Sequence, residues 1–201
     1  MVANPQNVAF AVGTEQSYIK RWTTEEFQTL GDMGVFEGRH VELLEGEIYE
    51  MTSGTPHFTA VMKCVRALER AFDDGFHARP PGPLNIGQNT DPEPDVAVVV
   101  GAIEDYAAQH PTTAVLVVEV SDATLRHDQT KKSSLYARAQ IQELWILNLK
   151  ARKLEVHRAP IEDANALHGW SYSDIRVLEA TESIAPLSAL QSQINVADLL
   201  P

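Results

Sequence analysis

The sequences PDVAVVV at residues 94–100 and AVLVVEV at residues 114–120 contain two apolar runs, Val96 to Val100 and Ala114 to Val118, that predict buried strands. Asp95 opens the first run, and Glu119 closes the second. If the strands are antiparallel neighbours, the beginning of one lies beside the end of the other, and both carboxylates meet at one edge of the sheet. Because paired acidic side chains are costly to desolvate without a cation, this arrangement predicts a site for a hard divalent metal, with Mg²⁺ favoured.

Length and composition restrict the class of protein. A chain of 201 residues with 44% hydrophobic and 22% charged residues is typical of a folded globular protein. No run approaches the roughly 18 apolar residues of a membrane span, and residues 1–13 lack the pattern of a signal peptide. We therefore expect a soluble, cytoplasmic protein. The single cysteine, Cys64, excludes an internal disulfide, argues against a structural zinc site and is expected in the core.

The charge is unevenly distributed. A formal net charge of −12 argues against extensive wrapping of nucleic acid, since a negative mean field repels phosphates. Residues 121–158 differ, because eight basic residues outnumber four acidic ones and give a local charge of +4. This stretch could contact a phosphate backbone, or it could be a solvated helix and turn.

The first half of the chain shows a loose beginning followed by regular patterns. Residues 1–20 lack clear periodicity and predict a flexible tail, so we expect a single domain over residues 21–201. Capping-box spacing at residues 23–26 predicts the start of a first helix. Residues 41–51 predict an extended hairpin, and Thr55-Pro56 predicts the start of a long amphipathic helix.

The second half predicts strands around a further helix. A short strand is expected at residues 84–88, a helix at 128–139 and a hairpin formed by 143–148 and 153–158. Weak extended structure and a short last helix follow from Ile161 onward. This order of elements fits an α/β or α+β layer with a central mixed sheet.

Asp128, Lys132 and Tyr136 share one face of the helix predicted after Glu119, because they are spaced at i, i+4 and i+8. A lysine in this position could reach back to the carboxylate edge and orient or deprotonate a water. The alternative is purely structural: Asp128 caps the helix, Lys132 is solvated and Tyr136 packs with its hydroxyl at the surface.

Six short motifs follow one another along the chain: Glu42-Leu43-Leu44-Glu45-Gly46-Glu47, His57, Pro92-Glu93-Pro94-Asp95, Val118-Glu119-Val120-Ser121, Asp128-x-x-x-Lys132-x-x-x-Tyr136-Ala137 and Glu143-Leu144-Trp145. In this order they resemble the Uma-two family of bacterial restriction-endonuclease-like proteins, over approximately residues 23–160. The resemblance implies a branch of the PD-(D/E)XK nuclease superfamily. That superfamily has a restriction endonuclease-like core, a central mixed β-sheet flanked by helices, and uses Mg²⁺ or Mn²⁺.

The resemblance also implies a set of metal ligands. Asp95 corresponds to the aspartate of the PD element, and Glu119 corresponds to the acidic residue of the (D/E)XK element. The Val120 carbonyl is a further ligand in this scheme. Glu42 matches an early acidic position that completes the metal shell directly or through water.

The lysine of the superfamily pattern is displaced in this chain. Ser121 stands two positions after Glu119, where the pattern expects lysine. The Uma-two pattern supplies the lysine from the next helix, which here is Lys132. Hydrolysis can proceed with such a lysine if its tip occupies the same place.

Two further candidates lie near the predicted site. His57 could contact a phosphate or assist proton transfer, or it could be a local hydrogen-bonding element at a helix start. Gln88 could lie near the metal edge or could satisfy backbone groups. Glu93 is left out of the predicted metal shell.

Together these assignments predict a metal-dependent endonuclease that hydrolyses DNA, with catalytic Asp95, Glu119, Lys132 and His57. We expect a homodimer, with residues 121–158 contacting the DNA backbone. The alternative is a catalytically silent nuclease-fold binding or interaction module, which the acidity and the displaced lysine favour. Action on RNA or on small phosphodiesters is not distinguished by motif.

Overall fold

The computed structural model describes residues 18–201, so most of the tail predicted at residues 1–20 lies outside the described residues. The first elements are α1 (Thr24–Asp32), β1 (His40–Leu44), β2 (Glu47–Met51) and α2 (Thr55–Ala71). The predicted capping box is present, with Thr23 as the N-cap of α1. The hairpin turns at Glu45 and Gly46, whose φ angles of 51° and 76° suit a tight turn between antiparallel strands. The N-cap of α2 is Gly54, one residue earlier than predicted.

A six-stranded mixed sheet forms the centre of the fold, in the order β3-β4-β5-β6-β7-β8. Its strands are β3 (Phe76–Arg79), β4 (Val96–Val100), β5 (Leu116–Ser121), β6 (Glu143–Asn148), β7 (Lys153–Glu162) and β8 (Trp170–Glu179). Only the β5-β6 pair is parallel, and the other neighbours are antiparallel. The predicted central mixed sheet flanked by helices is confirmed.

The parallel pair requires a crossover, which a three-part helical segment provides. This segment consists of α3 (Leu125–His127), a π-helical turn (Asp128–Lys132) and α4 (Ser133–Arg138). The regular α-helix predicted from residue 128 is therefore wrong in detail. π-Helical turns change the direction of the side chains that follow them and are frequent at functional sites.

Two other local predictions differ from the structure. Residues 84–88 form no strand, and Gly87 and Thr90 are joined only by an isolated bridge. The strand in this region is β3, which is too short and too polar to show a clear pattern. The extended structure predicted after Ile161 includes β8, a full ten-residue strand of the central sheet. The chain ends with β9 (Ser183–Ile184), β10 (Ile194–Asn195) and α5 (Val196–Leu199).

Both faces of the sheet are covered. Alternate residues of the central strands, such as Val98 and Val118, pack against Val61 and Leu68 of α2 on one face. Residues of opposite parity, such as Val117, pack with Tyr136 of α4 on the other face. Glu119 has the parity of Val117, so its side chain is directed to the side of the sheet on which α4 lies. Cys64 is buried in the α2 layer, as expected. Within residues 18–201, no helix has the length and apolar character required to cross a bilayer.

A buried carboxylate ties the sheet to the C-terminal segment. Glu143 is fully buried, and its Oε1 accepts hydrogen bonds from Trp145 Nε1 at 2.9 Å and from Arg158 Nε at 2.9 Å. Its Oε2 accepts the Leu187 N–H at 2.7 Å. The Arg158 side chain is only 13% exposed, so Glu143 is the counter-ion of a nearly buried guanidinium.

Glu143→Ala should therefore lower the free energy of unfolding by about 3 to 5 kcal/mol, because it leaves a nearly buried guanidinium without its counter-ion. Urea unfolding followed by circular dichroism measures this change. Glu162→Ala, at an exposed carboxylate in β7, is the matched control and should change stability by less than about 0.5 kcal/mol. Equal losses in the two variants would contradict the assignment.

Candidate active site

Asp95 and Glu119 lie at the same edge of the sheet because β4 and β5 are antiparallel. The register pairs Val96 with Val118, so Asp95 and Glu119 are the next residues along the two strands. The structure therefore meets the condition under which the sequence predicts that the two carboxylates share one edge. Asp95 immediately precedes β4, and Glu119 lies within β5.

One oxygen of Asp95 is held by the protein. Its Oδ2 accepts the Val120 N–H at 2.7 Å and lies 3.2 Å from Nε2 of His57. Among the described residues, Oδ1 has no hydrogen-bond partner. The interaction with Asp95 outweighs burial and raises the pKa of His57, so the imidazole favours its charged form. Two donors therefore orient Asp95 through Oδ2, and Oδ1 is left able to accept a further bond.

Glu119 has a similar arrangement. Its Oε1 accepts the Tyr136 hydroxyl at 2.6 Å and lies 2.9 Å from the Lys132 ammonium. No hydrogen bond within residues 18–201 occupies Oε2, although Glu119 is only 2% exposed and lines a cleft. Burial, together with neighbouring carboxylates, raises its pKa well above the usual range despite the effect of Lys132. A cation at Oε2 would offset this cost.

Lys132 is buried, with 2% of its side chain exposed. Its ammonium lies 2.9 Å from Glu119 and 3.1 Å from Glu42. Burial alone would lower its pKa, but the two carboxylates raise it well above the usual range and hold the lysine charged. The reading in which Lys132 is solvated and the Tyr136 hydroxyl reaches the surface is therefore wrong. The i, i+4, i+8 spacing of Asp128, Lys132 and Tyr136 could not indicate which strand residues lie opposite these side chains.

Glu42 contacts Lys132 from β1. Its Oε2 lies 3.1 Å from the ammonium and accepts the Glu93 N–H at 3.3 Å, while Oε1 lies 3.7 Å from Nε2 of His127. Oε1 is buried without a hydrogen-bond partner. Although burial opposes ionisation, Lys132 and His127 lower the pKa of Glu42 to about 2. The carboxylate lies behind Lys132 and is not among the cleft-lining residues.

Ser121, two positions after Glu119, holds Asp128 in place. Its hydroxyl donates to Oδ2 of Asp128 at 2.6 Å, and the Thr124 hydroxyl donates to the same oxygen at 2.8 Å. Burial raises the pKa of Asp128. Asp128 is not a helix N-cap, because the helical segment begins three residues earlier at Leu125.

A cleft of about 220 Å³ opens over this edge of the sheet. Its polar lining includes His40, His57, Glu93, Asp95, Glu119, Val120 and Asp128, and its apolar lining includes Met51, Phe58, Val61 and Pro81. Glu93, which the predicted metal shell omitted, faces the cleft because regular strand geometry begins only at Val96. Gln88 does not line the cleft: it is exposed, and its carbonyl accepts the Thr24 N–H at 2.7 Å.

The charge of the site fits a divalent cation. Glu119 interacts with three further carboxylates, those of Glu42, Asp95 and Asp128, and the Lys132 ammonium is the one lysine charge buried among residues 18–201. No cluster of three or more acidic, histidine or cysteine ligands is assembled in the part of the chain that the structure describes. Mg²⁺ does not require one, because it is commonly held by one or two carboxylates with water and phosphate oxygens. The open oxygens of Asp95 and Glu119 fit that mode.

The basic stretch predicted to contact DNA is mostly engaged in ion pairs. Arg138 pairs with Glu45 at 2.5 Å, Lys131 with Glu47 at 3.4 Å and Lys153 with Glu179 at 2.7 Å. Lys132 and Arg158 are held by the buried carboxylates described above. The local charge of +4 is therefore not a continuous free positive surface.

Comparisons with known proteins show the family and the fold of this chain. The model of the Uma2 (Uma-two) family, described as "Putative restriction endonuclease", matches residues 24–197. A crystal structure from Anabaena variabilis, described as "a putative nuclease belonging to DUF820", is similar with a TM-score of 0.66 and 14% identity. The match covers 89% of this chain and 97% of that chain, and it shows a shared fold. A search of proteins with curated functions gave no match.

Lys132→Met should lower the free energy of unfolding by about 3 to 5 kcal/mol, because it leaves two buried carboxylates without their counter-ion. Lys131→Met is the matched control on the same π-helical turn. Its ammonium pairs with Glu47, whose side chain is 42% exposed, so the expected cost is about 1 kcal/mol or less. Chemical unfolding at neutral pH measures both, and similar losses would contradict a central role for Lys132.

Proposed function

This chain belongs to the Uma2 restriction-endonuclease family, and we propose that it is a metal-dependent endonuclease that hydrolyses phosphodiester bonds in DNA. The observation that carries the proposal is the disposition of two carboxylates. Asp95 and Glu119 each have one oxygen engaged by protein donors, while the other makes no hydrogen bond to the described residues. Both residues line the same cleft.

We assign the metal to the open oxygens of Asp95 and Glu119, with the Val120 carbonyl as a third ligand. Mg²⁺ or Mn²⁺ would supply a Lewis acid that activates water and neutralises charge on the scissile phosphate. The donor set consists of oxygen atoms, as hard cations require. Glu42 has a different part in this scheme, because it acts on Lys132 from behind the site.

The chain's own residues prepare the site for this chemistry. Tyr136 and Lys132 fix the orientation of Glu119, and the Val120 N–H fixes Asp95. We propose that the Lys132 ammonium also orients the attacking water, since it lies at the carboxylate that lines the cleft. Asp95 raises the pKa of His57, and we assign His57 to contact a phosphate oxygen or to assist proton transfer.

One observation favours the alternative of a catalytically silent binding module. Lys132 is held between two carboxylates and is not among the cleft-lining residues. A lysine locked in this way would stabilise the fold without touching a reacting water. Metal binding without cleavage of any nucleic acid would favour this alternative.

The decisive variant is Asp95→Asn, which keeps the shape of the side chain and removes its charge. Loss of groups that only support metal ligands typically costs 10- to 100-fold, so loss of a direct ligand should reduce cleavage by at least about 100-fold. Nicking of supercoiled plasmid DNA in Mg²⁺ or Mn²⁺ measures the activity. Isothermal titration of Mn²⁺ provides an independent readout, and its binding heat should disappear.

Asp74→Asn is the matched control, because Asp74 is exposed in the turn that precedes β3. It should bind metal and cleave like the parent protein. An Asp95→Asn protein that cleaves as fast as the parent would overturn the proposed mechanism.

We also propose that the protein is a homodimer joined through β8. This strand is at one end of the sheet order, and among the described residues its backbone pairs only with β7. A two-fold antiparallel alignment centred on Ile175 places Asp174 of one copy opposite Arg176 of the other. Ile175 is 53% exposed and Val177 is 55% exposed, so the alignment also covers apolar surface. Such isologous pairing is the commonest symmetry of soluble oligomers.

Arg176→Asp should weaken this dimer roughly tenfold, because it places like charges opposite each other at two symmetry-related positions. The exchanged variant D174R/R176D restores opposite charges and should restore the parent dissociation constant. Sedimentation equilibrium measures both. A parent protein that remains monomeric over the accessible concentration range would refute the proposal.

A further inference from the structure

The cleft has a pronounced apolar wall beside its carboxylates. Met51, Phe58, Val61 and Pro81 line it, and Phe58 is 62% exposed. Phe58 follows His57 directly on the first turn of α2. An aromatic ring kept this accessible does not stabilise the core. Phe58 is one residue from His57, whose imidazole contacts Asp95. The ring is therefore positioned to contact a ligand in the cleft.

Apolar walls do not assist binding of a continuous duplex. Duplex binding depends mainly on neutralising phosphates with free lysine and arginine side chains. In this protein the formal net charge is −12, and several basic residues near the site are already paired with carboxylates. The bases of an intact duplex are stacked on one another and cannot pack against a side chain within a cleft.

An unpaired base has different requirements. Stacking of a base on an aromatic side chain is independent of charge and tolerates any base sequence. A cleft of about 220 Å³ with carboxylates on one side and an exposed phenylalanine on the other offers both parts of a nucleotide a partner. The phosphate would meet the metal ligands, and the base would meet the apolar wall.

We propose that the Phe58 wall receives an unpaired nucleobase, so that the substrate is single-stranded DNA or DNA with unpaired nucleotides. This assignment rests on the proposed function for the position of the phosphate. The role of Phe58 is to bind the substrate, and no step of the hydrolysis involves it.

The test compares Phe58→Ala with Phe58→Trp and with Met62→Ala. Met62 is the matched control, because it lies one turn further along α2 and is 46% exposed but does not line the cleft. The probes are a fluorescein-labelled oligo-dT strand and the same strand annealed to oligo-dA. Fluorescence anisotropy in Ca²⁺ reports binding, and gel analysis in Mg²⁺ reports cleavage.

We expect the parent to bind and cleave the single strand in preference to the duplex. Phe58→Ala should weaken binding to the single strand roughly tenfold, which is within the range for loss of one stacking contact. Phe58→Trp and Met62→Ala should bind like the parent. Equal preference for the two probes, or unchanged binding by Phe58→Ala, would overturn the inference.

The binding readout separates this inference from the proposed function. Single-strand binding that depends on Phe58, in a protein that cleaves neither probe, would support the base-binding wall and count against the nuclease. Cleavage of the duplex at least as fast as the single strand, lost in Asp95→Asn but not in Phe58→Ala, would support the nuclease and overturn the base-binding wall.

Discussion

The site depends on one buried ammonium. Lys132 lies between Glu42 of the β1-β2 hairpin and Glu119 of the central sheet, and it makes both carboxylates tolerable inside the protein. The elements that carry these residues pack in separate layers. The Lys132 ammonium therefore joins hairpin, sheet and crossover helix, and the pairs Lys131–Glu47 and Arg138–Glu45 also join the hairpin to the crossover segment. Without Lys132, burial would favour protonation of the two glutamates or separation of the layers that hold them.

The arrangement of oxygens follows from this constraint. Lys132 and Tyr136 occupy one oxygen of Glu119, while the Val120 N–H and His57 occupy one oxygen of Asp95. The protein thereby fixes each carboxylate through one oxygen and leaves the other oxygen able to accept a further bond. The same side chains that stabilise the buried charges leave the remaining oxygens without a hydrogen bond to the described residues. Stability and the proposed chemistry thus share one network of contacts.

The sequence predicted the structure best in segments where consecutive residues are buried. Two apolar runs with acidic residues at opposite ends indicated that Asp95 and Glu119 would meet if the two strands were antiparallel neighbours, and the structure has that pairing. The burial of Lys132 was not predictable, because helical spacing does not indicate what lies opposite. The π-helical turn has no clear sequence signal. Only weak extended structure was predicted where β8 lies, because several side chains of this strand are exposed. Glu93 lies in an irregular segment before β4, so the alternation of side chains in a regular strand could not predict that it faces the cleft.

The contact between Glu42 and Lys132 joins positions that are ninety residues apart in the chain. Contacts of such long separation form late in folding, because the entropy of closing the intervening chain must be overcome first. The β1-β2 hairpin forms its own two-stranded sheet, so its detachment would break no strand pair of the central sheet. Its detachment would leave Lys132 and Glu119 only partly compensated. The site is therefore complete only in the fully folded protein. We expect partial unfolding to disrupt the site before it disrupts the core.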